Sequence, residues 1–189
     1  MEETKMIIAY ILFGYDNDTF MYEGVEHTSP PKCPKCGHLI DFDYTNPYYQ
    51  LKKKISDLSH PYDIGTIVSL KFKEFCERNR YNVRFKELER EANFYQLVVI
   101  DKVEYDYERR KTKLTGFCDV CKNYEQAIGA APGYLKHVTR PLLDGIYRTD
   151  LQFGAGDRKR YLIIVSPETY EKMKKEKFKG LYFEKIEVQ

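Results

Sequence analysis

Apolar positions along the chain recur with two periods, and most of them favour strands. Met6 to Phe13 (MIIAYILF) is an unbroken apolar run, short enough for a buried strand. A polar turn, Tyr15 to Thr19, follows it, and a second strand is expected before Pro30 and Pro31. HLIDFDY (38–44) alternates apolar and polar residues from Ile40, which predicts a short strand ended by Asn46 and Pro47. After Ser69 the period changes. Phe72, Phe75, Cys76 and Asn79 share one face of a predicted helix of about ten residues, with Ser69 placed to cap it. The strongest strand signal runs from Phe94 to Tyr107, with Val103, Tyr105 and Tyr107 on one face and Lys102, Glu104 and Asp106 on the other. The basic run RRKTK (109–113) is expected to turn that strand back as a hairpin.

Two stretches share a plan. TIVSLKFKEFCERNRYNVRFKELE (66–89) and IIVSPETYEKMKKEKFKGLYFEKIE (163–187) each read as a β-branched strand, a capping serine (Ser69, Ser166), an amphipathic helix and a strand beginning near Val83 or Leu181. In the second, Pro167 opens the helix and Gly180 follows its end, the placement helix termini prefer. Tyr170, Met173 and Phe178 supply its buried stripe. The predicted class is α+β: a single domain over residues 1–189, with a mixed sheet, two β-α-β-like units and an inserted zinc-knuckle site.

The overall charge narrows the function. With 31 basic and 29 acidic side chains the formal charge is +2, so no global field draws the chain to nucleic acid or anionic lipid. Met6 to Phe13 is too short for a signal sequence, and Glu2 and Glu3 stand where a basic leader belongs. No run approaches the ~20 apolar residues that span a bilayer. Five cysteines without an export signal favour reduced, metal-binding thiols over a disulfide framework, and a cytoplasmic protein is expected.

Those cysteines carry the clearest chemistry. Cys33-Pro34-Lys35-Cys36-Gly37 has knuckle composition: the two-residue spacing lets both thiolates reach one ion, while glycine can turn the backbone amides toward the sulfurs. Cys118-Asp119-Val120-Cys121 repeats the spacing with Lys122 in the glycine position. Together they offer four soft ligands for a structural Zn²⁺, although residues 37–117 lie between the half-sites. Redox-active CxxC pairs normally open a helix after a strand, and the first pair here follows two prolines. Cys76 sits on an apolar helical face and reads as core, not as a fifth ligand; His38, beside the first knuckle, could replace a cysteine ligand but is expected behind the ligands or on the surface.

No catalytic or cofactor-binding residue is assigned. His27, His60 and His137 lack a matching nucleophile or carboxylate motif, and GAGDRKR (154–160) lacks phosphate-loop spacing and reads as a hairpin connection between DLQF and YLIIV. Asp150 is left as structural or as part of a contact surface.

CPKCG, the central IVS-helix unit, CDVC and the closing order GIYRTDLQFG, LIIVS and LYFEKI resemble the double-CxxCG-motif family from about residue 33 to the C-terminus. Lys122 departs from that motif. Some members of the family are assigned as immunity proteins of bacterial polymorphic toxin systems. The resemblance implies a cytoplasmic protein that binds and masks a cognate toxin. The surface expected to meet such a partner is the long strand at Glu104, Tyr105, Asp106 and Tyr107, with Glu108 beyond it. Two other classes stay open. One is a zinc-ribbon nucleic-acid adaptor using Arg109, Arg110, Lys111, Arg158, Lys159 and Arg160; the other is a CxxC thiol oxidoreductase.

Overall fold

A computed structural model describes residues 5–22 and 29–188. The first apolar run forms β1 (Met6–Asp16), and most of it is buried. It serves two layers at once. Tyr10 and Leu12 face one hydrophobic cluster while Ile8, Ala9 and Ile11 face another. With both faces covered the run has no polar alternation, as expected of a central strand.

Ten further strands follow: β2 (Leu58–His60), β3 (Ile67–Ser69), β4 (Val83–Glu87), β5 (Phe94–Val99), β6 (Lys102–Val103), β7 (Lys113–Phe117), β8 (Tyr124–Ile128), β9 (Ile146–Ala155), β10 (Arg158–Val165) and β11 (Leu181–Val188). They join in the order β4-β5-β3-β2-β1-β10-β9-β8-β7, with β11 on the other side of β1 and β6 on β9. Three helices accompany them: α1 (Leu70–Arg78), α2 (Tyr107–Arg110) and α3 (Pro167–Glu176). Among the described residues the architecture is a mixed sheet of 11 strands with three short helices, so α+β fits only loosely because the sheet dominates.

The two expected β-α-β units are present. Ser69 accepts from the Phe72 amide and Ser166 from the Thr169 amide, so each serine satisfies a donor that the helix start leaves open. In the first unit β3 and β4 flank β5 and run antiparallel to it; in the second β10 and β11 flank β1 in the same way. Each helix therefore links parallel strands across one intervening strand. Phe72, Phe75 and Cys76 of α1 and Met173 of α3 bury into the same cluster, and Phe178 packs on Phe72 and Phe75 at ring separations of 5.2 and 5.3 Å.

Three expectations are corrected. The alternating run 94–107 is not one strand: β5 ends at Val99, β6 begins at Lys102 and pairs with β9 instead of with β3 or β4, and Asp106 already caps α2. The chain changes neighbours between them, since the Arg148 amide donates to the Asp101 carbonyl where β6 joins β9. RRKTK therefore makes no hairpin tip; Lys111 ends α2 in a left-handed conformation (φ +57°) and the chain enters β7. Residues 38–44 form only an isolated bridge, Leu39 to Lys32, with turns after it. Of the strand expected before Pro30, residues 23–28 lie outside the described residues, and Met21 and Tyr22 form a bend.

Candidate metal centre

Each cysteine pair occupies the turn of a small hairpin. The first lies between Lys32 and Leu39, and the second between β7 and β8, whose last pair is Phe117 with Tyr124. Their backbone bonds match one for one. Cys33 N–H donates to His38 O (2.8 Å) and Gly37 N–H to Cys33 O (2.8 Å); Cys118 N–H donates to Asn123 O (2.9 Å) and Lys122 N–H to Cys118 O (2.8 Å). Gly37 takes φ +75° and Lys122 φ +58°. The lysine thus accepts the left-handed turn that glycine makes without strain, so the departure from CxxCG leaves the knuckle shape intact.

Folding brings the half-sites together. All four sulfurs lie within 4.8 Å of one another, with Cys33 Sγ 3.8 Å from Cys118 Sγ and Cys36 Sγ 3.8 Å from Cys121 Sγ. A tetrahedron with metal–sulfur bonds of about 2.3 Å has sulfur–sulfur edges of about 3.8 Å, whereas a disulfide needs about 2.05 Å. The four thiols are free and the cluster could hold a metal ion. Cys33 and Cys118 are buried, and Cys36 and Cys121 half-buried.

Knuckle amides polarise the sulfurs unequally. Those of Cys36 and Lys35 lower the Cys33 thiol, and those of Cys121 and Val120 bring Cys118 to about 6. At Cys36 the His38 amide acts in the same lowering sense, but burial and the thiols of Cys33, Cys121 and Cys118 outweigh it and raise the group to about 11. Four packed thiols compete for negative charge, which is the situation a bound cation resolves.

Several neighbours brace the cluster. Lys35 Nζ, within the first motif, lies 2.5 Å from Asp119 Oδ1, within the second. The β9–β10 connection is the expected hairpin; Gly154 (φ +131°) admits no side chain, since a Cβ would meet the Arg158 carbonyl at 2.1 Å. At its turn, Asp157 accepts from the Leu39 amide (2.7 Å) and Lys32 Nζ (2.9 Å) and faces His38 Nδ1 at 3.6 Å. His38 is therefore held by a carboxylate and is outside the sulfur cluster. Lys159, only 2% exposed, donates to the carbonyl of Tyr124, just beyond the second knuckle. Burial lowers its pKa, while Cys121, Asp157 and Cys36 favour its charge. In sequence this lysine was one of a basic run, and nothing about its spacing marked it as buried.

The other candidates are scattered. Tyr105 is fully buried, its hydroxyl donating to Ala130 O (2.8 Å) and its amide to Asp150 (2.9 Å), so the expected partner surface loses its central aromatic. Asp106 caps Arg109, Tyr107 is half-buried, and Glu104 and Glu108 remain exposed. Cys76 is a core residue whose thiol burial pushes up. The basic set does not make one patch: Arg110 binds Ala131 O, Arg160 donates to Pro61 O and Lys159 is buried. His60 is buried, with Nε2 accepting from the Gly14 amide at 3.4 Å, and burial lowers its pKa to about 3. His137 has a left-handed backbone (φ +58°) and joins no cysteine or acidic cluster among the described residues, and His27 lies outside them. Among the described residues no helix is long and apolar enough to cross a membrane. No family model, curated protein or solved structure significantly matches the chain.

Proposed function

We propose that the four cysteines hold a structural Zn²⁺ and that the chain is a non-catalytic binding protein, which neutralises a cognate protein toxin in the cytoplasm. The observation that supports the metal reading is the cluster of four sulfurs within 4.8 Å of one another, two pairs of them at the 3.8 Å edge of a zinc–thiolate tetrahedron. Four thiolates fill zinc's preferred coordination and leave no position for a substrate or an activated water. Both motifs sit in hairpin turns and neither opens a helix, which favours a structural site over thiol–disulfide exchange. The toxin-binding part rests on the resemblance to the double-CxxCG family, and the matching shape of the CxxCK knuckle supports it.

Protein purified without chelator should carry about one zinc per chain, as the four-ligand shell requires. Metal analysis finding less than roughly a tenth of an equivalent would reject the zinc site. Co-expression with the product of an adjacent open reading frame should yield a stable complex and rescue cells from its toxicity. A neighbour that neither binds nor harms cells lacking this protein would reject the immunity reading.

A further inference from the structure

The β9–β10 turn carries none of the four cysteines, yet it is bonded to the residues that flank each cysteine motif. We propose that Lys159 is the counter-cation of the four thiolates and that Asp157 anchors the first knuckle, so that one turn preorganises both half-sites. The inference rests on the zinc reading above.

Charge is the first argument. A buried ammonium is costly unless an anion lies close. Among the described residues Lys159 forms no ion pair with a carboxylate, and its hydrogen bond goes to a neutral carbonyl. The anionic groups acting on it are Cys121 and Cys36, one from each motif, together with the carboxylates of Asp157 and Glu125, neither of which is paired with it. A divalent ion in four thiolates leaves a net charge of about two negative units, and a buried lysine held at the Tyr124 carbonyl, three residues past Cys121, offsets part of it. The metal cluster and the buried lysine thus each remove the other's electrostatic penalty.

Placement is the second. The half-sites are separated in sequence by residues 37–117, yet each docks on the same turn. Asp157 receives the Leu39 amide and Lys32 at the end of the first knuckle, while Lys159 reaches Tyr124 and the Gly156 amide reaches Glu125 (2.9 Å) at the end of the second. With the turn in place, closing the sulfur cage requires no further search by either hairpin.

The test uses the full chain loaded with zinc and measures metal transfer to a chromogenic chelator. Lys159→Gln keeps a donor for Tyr124 and removes the charge; Lys159→Arg keeps the charge. The glutamine variant should release zinc ~10- to 100-fold faster, the range for lost outer-shell partners, while arginine stays much closer to wild type. Asp157→Asn should also speed release. Thermal melts in a Cys118→Ser background separate charge balance from packing: there Lys159→Gln should be nearly neutral. Unchanged zinc release from Lys159→Gln overturns the proposal, as does an equal melting loss with and without the cysteine. If the glutamine variant does not fold, release from Asp157→Asn and Lys159→Arg decides: wild-type release from the first, or fast release from the second, overturns it. A wild type that binds no zinc overturns this inference together with the metal site, whereas zinc-replete wild type with indifferent variants removes only the role of the turn.

Discussion

Single residues here are legible where their chemistry is local and silent where it depends on contacts distant in sequence. Cys33, Cys36, Cys118 and Cys121 could be read because thiol spacing is itself the requirement for chelation. Lys159 could not, because its burial is decided by Phe42, Tyr124 and the sulfur cluster, all remote in sequence. The two kinds of cysteine should separate cleanly in experiment. Cys118→Ser removes a ligand and should cost several kcal/mol of zinc-dependent stability, whereas Cys76→Ser should cost about 1–3 kcal/mol by placing a hydroxyl in an apolar cluster, with zinc retained. Equal melting temperatures and equal zinc content for the two would reverse their assignments. His60 gives a pH prediction. Its folded pKa near 3 lies below its unfolded value of about 6.5, so the unfolded chain binds the extra proton between those limits. The associated stability is complete above about pH 6.5 and is lost as the pH falls toward 3, at up to about 1.4 kcal/mol per unit. His60→Gln should flatten the urea-midpoint profile between pH 7 and 4 relative to wild type. Because both proteins keep the same thiolates, the difference between them isolates the histidine, and parallel profiles would exclude it as the source.

Elements were readable when one period persisted, and misleading when the chain changed pairing partners without changing period. The alternation from Phe94 to Tyr107 is real, but β5 pairs with β3 and β4 whereas β6 pairs with β9, so the same pattern serves two places. Periodicity records which faces are buried and says nothing about which strand lies alongside. The β-α-β units were visible because their caps are short-range. Their two serines are nevertheless unequal. Ser166 is fully buried and belongs to a network in which Thr169 reaches both Asp144 (2.8 Å) and the Gly145 carbonyl (3.1 Å). Ser69 is less buried, and its hydroxyl donates to Asp57, which has a second partner in the Lys179 amide. Ser166→Ala should therefore cost about 2 kcal/mol and Ser69→Ala about 1 kcal/mol, the upper and middle of the capping range. Chemical denaturation of both variants checks the order; a larger loss at Ser69 would mean that the Asp57 bridge, not the cap, dominates.

At the scale of the whole molecule, the metal site is a staple at one end of the sheet. Strand β1 pairs with β11 from Met6 to Gly14 and with β10 at Tyr10 to Leu12, and its helix-covered cluster includes no knuckle residue. The β7–β8 hairpin is held more lightly: β8 meets β9 through Gln126–Ala155 and Ala127–Gly154, and β7 is an edge. On the other side the first knuckle has one bridge, Lys32 to Leu39. An ion joining them closes a long loop and so disfavours the open forms of both hairpins, while the central sheet keeps its own burial. Removing zinc should therefore unfasten one end rather than unfold the chain. Hydrogen exchange followed at neutral pH before and after chelation should show the amides of Cys33, Gly37, Cys118 and Lys122 exchanging at least ~10-fold faster, as expected for a locally opened unit. Amides of buried Ile11 and Ile164 in β1 and β10 should hold their protection. Acceleration spread evenly through β1 and β10 would show that the metal supports the entire fold, and unchanged knuckle amides would show that it fastens nothing.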